Sequence, residues 1–238
     1  TPPPTSSIAF IGSAAEAEDP GFARFKTALE RSWPAEAPRP ALAYRRNTQA
    51  DDEHLAKAIR SALDTRPRVL VVQTGAAARV ASAMAHDTAI VFASFLDPVR
   101  YGFVETMQQP GRRTTGVSLF DDLHLKRLEL LKDAFPHVNT VSVLGDRDWY
   151  AFEVNLASLR RRAREDLGLE LITHEANSVE KLDALVGSAH AQAADAWYIP
   201  PTYIAYLGEA RIIAALLRLQ RPAMHSTPQE VAAGALMA

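Results

Sequence analysis

The chain has 238 residues, of which 47% are hydrophobic and 23% are charged, and its formal net charge is −2. This size suits one large domain or two small ones, and the weak net charge excludes a bulk basic field that would attract nucleic acid or anionic lipid. The absence of cysteine excludes thiol nucleophiles, cysteine-ligated zinc and disulfides, and no apolar run reaches the ~18 residues of a membrane-spanning helix.

Strand and helix patterns alternate along the first half of the chain. Short apolar runs predict strands, and apolar residues at helical spacing predict helices. The predicted strands are 7–12, 41–45, 68–73 and 89–95, and the predicted helices are 22–33, 51–63, 75–86 and 101–108. Strict alternation with fully apolar strands predicts a parallel sheet covered by helices on both faces.

A second series of the same kind begins at Thr114. Its predicted strands are 114–118, 140–144, 169–174, 197–199 and 222–225, and its predicted helices are 123–135, 150–167, 178–191, 203–219 and 228–233. The sequence therefore predicts an α/β protein with two doubly wound Rossmann-like lobes of similar size.

Motifs of the common enzyme classes are missing from the sequence. It contains no phosphate-binding loop, no GxGxxG after a strand, no HExxH and no GxSxG. We therefore predict no catalytic residue, no metal site and no cofactor. The dense basic run at 160–164 falls on a predicted helix between acidic residues, and we interpret it as a solvated face.

Small polar residues follow the carboxyl ends of successive predicted strands, which is the edge where open parallel sheets bind ligands. The candidates in the first half are Ser13, Thr74, Gly75, Ala76 and Asp97, and those in the second half are Ser118, Asp146, Tyr150, Thr202, Tyr203 and Ser226. We predict that these residues line a solute-binding site.

Several candidates have a competing structural explanation. Thr74 with the amides of Gly75 and Ala76 would bind a carboxylate at a positive helix end, but a Thr before a helix is also an ordinary N-cap. Asp97 precedes a proline, so it either receives a ligand amine or fixes a turn. The aromatic residues Trp197, Tyr198, Tyr203 and Tyr206 are partly core, and we expect one or two of them to reach the ligand.

The order of segments resembles one known family. The stretch "LDPVRYGFVETMQQPGRRTTGVSLFDDLHLKRLELLKDAFPHVNTVSVL" at 96–144 is similar to the central signature of ABC-importer substrate-binding proteins that include tryptophan- and tyrosine-binding members. The stretch "VVQTGAAA" corresponds to the family's strand followed by Thr/Ser-Gly-x-Ala, and the match continues through "RPAMHSTPQEVAAGALM".

The resemblance implies a type I periplasmic-binding-protein-like fold, in which two lobes joined by hinge strands close over a solute. It implies lobes at 1–117 and 118–238, with hinges near 115–118 and a return crossover starting near 234–238. Relatives usually continue beyond the position of Ala238, so we expect either missing residues or an uncovered face on the first sheet. Such proteins are not enzymes; they hand a small molecule to an ABC permease outside the cytoplasmic membrane.

Two departures from the family pattern bear on the ligand. Pro201 stands where many relatives have Asp, and Gly145-Asp146 stands where relatives often have Asn-Pro. Thr74 would bind a carboxylate, and Asp97 or Asp146 would bind an ammonium, so the expected ligand is a small zwitterion such as an aromatic amino acid. The aromatic side chain of such a ligand would stack on Tyr150, Tyr203 or Tyr206.

The expected setting is a periplasmic or extracytoplasmic monomer after signal removal, since the Pro-rich residues 1–7 are typical of a mature start. We expect no nucleic acid partner. The alternative hypotheses are the ligand-sensing module of a transcriptional regulator, which shares this architecture, and a paired-lobe enzyme.

Overall fold

The computed structural model describes residues 7–12, 14–47, 52–111, 113–119, 122–150, 156–176, 178–188 and 193–238. The chain divides into two compact units, residues 1–119 and 120–238. Each unit is an α/β layer structure with its own parallel sheet.

The first unit is built on a five-stranded parallel sheet with the order β2-β1-β3-β4-β5. Its strands are β1 (Ser7–Gly12), β2 (Ala41–Arg46), β3 (Val69–Val72), β4 (Ala89–Ser94) and β5 (Thr114–Ser118), and its helices are α1 (Pro20–Ser32), α2 (Asp52–Leu63) and α3 (Gly75–Met84). The central strands β1 and β3 are buried because helices cover the sheet. The ring centroids of Phe10 in β1 and Phe22 in α1 lie 5.0 Å apart.

The second unit is built on a four-stranded parallel sheet with the order β7-β6-β8-β9. Its strands are β6 (Thr140–Gly145), β7 (Glu170–Glu175), β8 (Ala196–Tyr198) and β9 (Ala223–Met224). Its helices are α4 (His124–Ala134), α5 (Leu156–Leu167), α6 (Leu182–Val186), α7 (Tyr203–Leu219) and α8 (Pro228–Ala232). One apolar cluster contains Val141 and Val143, and another contains Leu144, so both faces of β6 are packed.

The predicted fold class is confirmed: both sheets are parallel and strands alternate with helices. The strand 114–118 does not open the second series, however, because it pairs with β4 as the edge strand of the first sheet. Ser118 pairs with Ser94 in that sheet, and the division between the units falls after Leu119. At the other end, Met237 forms a parallel bridge with Met224 inside the second unit.

Two predicted helices differ from the structure. Residues 101–108 form turns instead of a helix: Gly102 has a left-handed φ of +69°, and the amide of Phe103 donates to the carbonyl of Pro98. These turns bury the ring of Phe103 at 5.6 Å from Phe92, so tertiary packing overrides the local pattern. The helix predicted at 178–191 is reduced to a 3₁₀ turn at Val179–Lys181 and α6, and residues 189–192 lie outside the described part.

Candidate functional site

Each unit gathers polar side chains at the carboxyl edge of its sheet, where helices begin. In the first unit, Thr74 is the N-cap of α3, and its hydroxyl oxygen accepts a hydrogen bond of 3.1 Å from the amide of Ala77. Gly75 and Ala76 are buried behind it. The N-cap role of Thr74 is therefore present in the structure, and contact with a solute carboxylate stays a prediction.

Leu96 explains why a glycine follows the cap. A Cβ added to Gly75 would lie 2.0 Å from Cδ1 of Leu96 and 3.1 Å from Oγ of Ser94. The hydroxyl of Ser118 donates to the carbonyl of Leu96 at 2.9 Å. Gly75 and Ser118 therefore both approach Leu96 at the ends of β3, β4 and β5.

Asp97 fixes a turn at the same edge. Its Oδ1 accepts hydrogen bonds from the amides of Val99 at 3.0 Å and Arg100 at 3.1 Å. This is an Asx turn, which is the structural alternative that the Asp-Pro pair indicates. A contact between Asp97 and a ligand amine stays a prediction, and Ser13 lies outside the described residues.

A network that the sequence reading missed lies at the ends of β1, β2 and β3. Asp19 is 1% exposed, and its Oδ1 accepts from the amide of Phe22 and, at 3.2 Å, from Nε2 of Gln73. The hydroxyl of Tyr44 lies 2.9 Å from Oδ2 of Asp19. The sequence pattern Asp19-Pro20 signalled only the N-cap of α1, and nothing in the spacing indicated its long-range partners.

Gly12 makes this network possible. A Cβ added to Gly12 would lie 2.1 Å from the hydroxyl of Tyr44 and 2.2 Å from Oδ2 of Asp19. The glycine that closes the first strand therefore marks a close approach of side chains over the backbone.

In the second unit, Asp146 connects the end of β6 to the start of α7. Its Oδ1 accepts from the amide of Trp149 at 2.9 Å, and its Oδ2 accepts from the amide of Ile204 at 3.3 Å. Burial raises the pKa of Asp146 to about 6, and the nearby carboxylate of Asp148 adds to the increase against the opposing effect of the amide donors. The charged form is therefore costly at this position.

Tyr150 and Tyr203 occupy different environments at this edge. The hydroxyl of Tyr150 lies 2.8 Å from the carbonyl oxygen of Val143 and 3.1 Å from that of His174, and burial raises its pKa. Tyr203 is at the first position of α7 and stacks with Tyr206 at 6.3 Å between ring centroids.

Thr202 is the N-cap of α7 and accepts from the amide of Ala205 at 3.2 Å. Trp197 and Tyr198 are the core members of the predicted aromatic set, because each is 0% exposed in the second unit. There Tyr198 binds Nδ1 of His124 at 2.7 Å through its hydroxyl.

Ser226 is held by a further network that the sequence did not reveal. Its hydroxyl donates to the carbonyl of Ile199 at 2.6 Å, and its carbonyl accepts from Arg127 at 3.0 Å. Its amide donates to Glu230, which also pairs with His225. The Thr-x-x-Glu spacing at 227–230 is a capping-box pattern that would have indicated Glu230.

Within the described ranges, no group of three or more His, Cys, Asp or Glu side chains is arranged to hold a metal ion. None of the helices found there is both long and apolar enough to cross a membrane.

Comparison with known proteins gives one family and several solved structures of the same fold. A family model described as "ABC transporter substrate binding protein" matches residues 39–238. No curated protein sequence matches the chain.

A conserved domain protein from Vibrio cholerae O1 biovar El Tor has a TM-score of 0.72 at 21% identity, covering 97% of this chain and 77% of that one. The ABC domain from Streptococcus pneumoniae in complex with L-Trp has a TM-score of 0.71 at 18% identity, covering 98% and 79%. The leucine-binding protein LivK from Thermotoga maritima has a TM-score of 0.55 at 16% identity, covering 97% and 67%. At these identities the likeness establishes the fold, which is type I periplasmic-binding-protein-like.

Proposed function

The chain belongs to the ABC transporter substrate binding protein family, and from this premise we propose that it captures a small zwitterionic solute outside the cytoplasmic membrane and delivers it to an ABC permease. The proposal includes a monomeric, periplasmic or otherwise extracytoplasmic protein without enzymatic activity. Members of the family bind small molecules, so the proposal concerns which solute is bound and where it is delivered.

The observation that supports a zwitterionic solute is that the first unit offers a group that favours an anion and the second unit offers a carboxylate. The first unit presents the N-terminus of the ten-residue helix α3 at Thr74, where backbone amides and the helix dipole favour an anion. The second unit presents the carboxylate of Asp146 at the N-terminus of α7. A zwitterionic solute carries one group of each kind, a carboxylate and an ammonium.

An α-amino acid is the simplest solute of this kind, and two neighbours in fold favour the same class. One is a structure with L-Trp, and the other is called a leucine-binding protein. The stacked phenols of Tyr203 and Tyr206 supply aromatic surface that suits an apolar or aromatic side chain.

A solute panel tests the proposal. Protein that has been unfolded, stripped of ligand and refolded is scanned for thermal stability with each of the twenty amino acids. A true solute at a hundredfold excess over its Kd raises the melting temperature by about 5–10 °C. The best amino acid is then compared with its analogue that lacks the amine and its analogue that lacks the carboxylate; for L-tryptophan these are indole-3-propionate and tryptamine.

We expect both singly charged analogues to bind at least tenfold more weakly, because each lacks one of the two charged groups of the solute. Equal binding by either analogue would contradict a zwitterionic solute, and no shift with any amino acid would contradict the amino acid class.

A further inference from the structure

The outer edge of β5 is an open strand edge of the first unit. β5 is the last strand in the sheet order, and within the described ranges β4 is the strand that pairs with it. The amide of Leu119 donates to the carbonyl of Ser94, so the odd-numbered residues direct their backbone groups to β4. In a parallel ladder every second residue faces the other way, and the backbone groups of Thr114 and Gly116 therefore point outward. Such an edge offers hydrogen-bond donors and acceptors to a further strand.

One face of β5 is apolar and accessible to solvent. Val117 is 62% exposed and Leu119 is 60% exposed, and both side chains lie on the same face because alternate residues of a strand share a face. Thr115 and Ala93, the neighbour of Val117 on β4, are exposed on this face as well. The open edge is therefore bordered by apolar surface that pairing with another strand would partly cover.

The sequence of β5 lacks the features that keep edge strands from pairing, and its flanks are oppositely charged. The segment 114–119 contains no charged residue and no proline. Arg112 and Arg113 come before it, and Asp121 and Asp122 come after it. Two such strands side by side in parallel would bring like charges together, whereas an antiparallel pair brings the basic end of each strand to the acidic end of the other. This charge complementarity favours a second copy of the same strand in antiparallel orientation.

We propose that the outer edge of β5 pairs with β5 of a second copy of this chain, antiparallel about a two-fold axis at Val117. The outward backbone groups belong to even-numbered residues, so the odd-numbered residues form the close pairs without hydrogen bonds. Val117 then faces Val117 of the second copy, and Thr115 faces Leu119 of the second copy. With Ala93 of each copy, these side chains form one apolar strip across the joined sheets.

The contact is small, so the pairing is reversible. It uses about six residues a side, whereas stable interfaces use about 20–30. The monomer of the proposed function is therefore the form at low micromolar concentration, and the pair forms as the concentration rises toward the millimolar range. The pairing does not depend on the identity of the solute, and it is measured in the absence of solute.

Cysteine cross-linking tests the pairing and its register, since the chain contains no cysteine. Val117→Cys places two thiols opposite each other in a close pair, and mild oxidation at about 200 µM should link most chains into dimers. Met107→Cys is the matched control, because Met107 is 60% exposed and lies outside β5; it should link at least about fivefold more slowly. A mixture of Thr115→Cys and Leu119→Cys should link faster than either variant alone.

Sedimentation velocity measures the pairing of the unmodified chain. The weight-average mass of the wild type should rise by about a third or more between about 5 µM and about 500 µM. Val117→Lys sets two like charges opposite each other at the axis and should abolish the rise. Met107→Lys makes the same change of charge outside β5 and should keep it. Circular dichroism and the melting temperature establish that each variant is folded.

The outcomes decide the pairing separately from the proposed function. A wild type that stays monomeric at the highest concentration overturns it, and so does Val117→Cys that links no faster than Met107→Cys. A mass that rises equally in the wild type and in Val117→Lys means that another surface joins the copies, and the role of β5 is then wrong. None of these results changes the outcome of the solute panel, which is read from thermal stability.

Discussion

Nδ1 of His225 lies 3.1 Å from Oε1 of Glu230, and both side chains are nearly inaccessible to solvent. The same carboxylate accepts the amides of Ser226 and Thr227 through its other oxygen. One glutamate therefore closes the loop between β9 and α8 and orients Ser226 toward the edge of the sheet. Hydrogen bonding to Glu230 overcomes the effect of its burial and holds its pKa below the ordinary value.

Replacing Glu230 is expected to destabilise the second unit strongly. Glu230→Ala leaves His225 and the cap amides without their acceptor, so the free energy of unfolding falls by about 3 kcal/mol. Because the folded-state pKa is lowered, the stabilisation is fully present above pH 4.5 and is lost as the pH falls through the folded value. Denaturant unfolding from pH 7 to pH 3 measures this: the gap between the wild type and Glu230→Gln narrows on acidification.

The matched control is Glu165→Ala, which removes an exposed carboxylate that pairs with Arg161 on α5. It should cost less than about 1 kcal/mol. A cost for Glu230→Ala as small as this would contradict the structural role of the buried pair.

Asp146 has the opposite linkage between stability and pH. Its folded-state pKa of about 6 exceeds the ordinary value of 3.8, so proton binding stabilises the folded form as the pH falls from about 6 to 4. The stabilisation gained by acidification is about 2–3 kcal/mol and is absent above pH 7. Asp146→Asn should remove this dependence and match or exceed the wild type in stability at pH 7.5. Urea unfolding of both proteins at pH 7.5 and pH 4.5 tests whether acidification stabilises the wild type relative to the variant. A wild type that loses stability relative to the variant on acidification would contradict the raised pKa of Asp146.

Gly12, at the end of β1, provides a test of the hydrogen-bond network that joins Asp19 to Tyr44 and Gln73. Gly12→Ala forces the new methyl group onto Tyr44 and Asp19, and we expect a loss of about 2–3 kcal/mol from overpacking and broken hydrogen bonds. Gly102→Ala is the comparison, since its cost of about 1–2 kcal/mol comes only from the left-handed backbone, with no atom within 4 Å of the added Cβ. Chemical denaturation measures the free energy of unfolding of both variants. A larger loss for Gly102→Ala than for Gly12→Ala would contradict the close approach of Tyr44 and Asp19 to Gly12.

The parallel α/β architecture was predictable from the sequence because its signals are local. Apolar runs such as 7–12 and 140–144 coincide with β1 and β6 within one residue, and Pro20 and Pro228 lie at the first turns of helices as N-terminal signals require. The turn at 101–108 was mispredicted because burial of Phe103 and the left-handed Gly102 decide its shape, and both depend on packing that helical spacing does not encode.

The place of the candidate residues at the strand ends was predictable from the sequence, and their role in solute binding stays a prediction. The rule that parallel sheets bind ligands at their carboxyl ends selected Thr74, Asp97 and Asp146. The N-cap bond of Thr74 and the turn at Asp97 were structural alternatives that the sequence indicated, whereas the amides that donate to Asp146 were not indicated. The contacts of Asp19 with Gln73 join residues 54 positions apart, and no short-range pattern specifies such a pair.

Thr74 gives the final prediction, which separates capping from solute binding. Thr74→Ala removes the acceptor for the amide of Ala77 and should lower the free energy of unfolding by about 1 kcal/mol, whereas Thr74→Ser keeps the hydroxyl and should cost less. If the solute carboxylate also binds here, Thr74→Ala weakens the best amino acid of the panel at least tenfold, and Thr74→Ser keeps most of the affinity. Thr227→Ala, which removes the threonine cap of α8, controls for loss of a cap alone. Calorimetry and denaturant unfolding are run on all three variants; if Thr74→Ala loses stability but binds the solute like the wild type, Thr74 is only a helix cap.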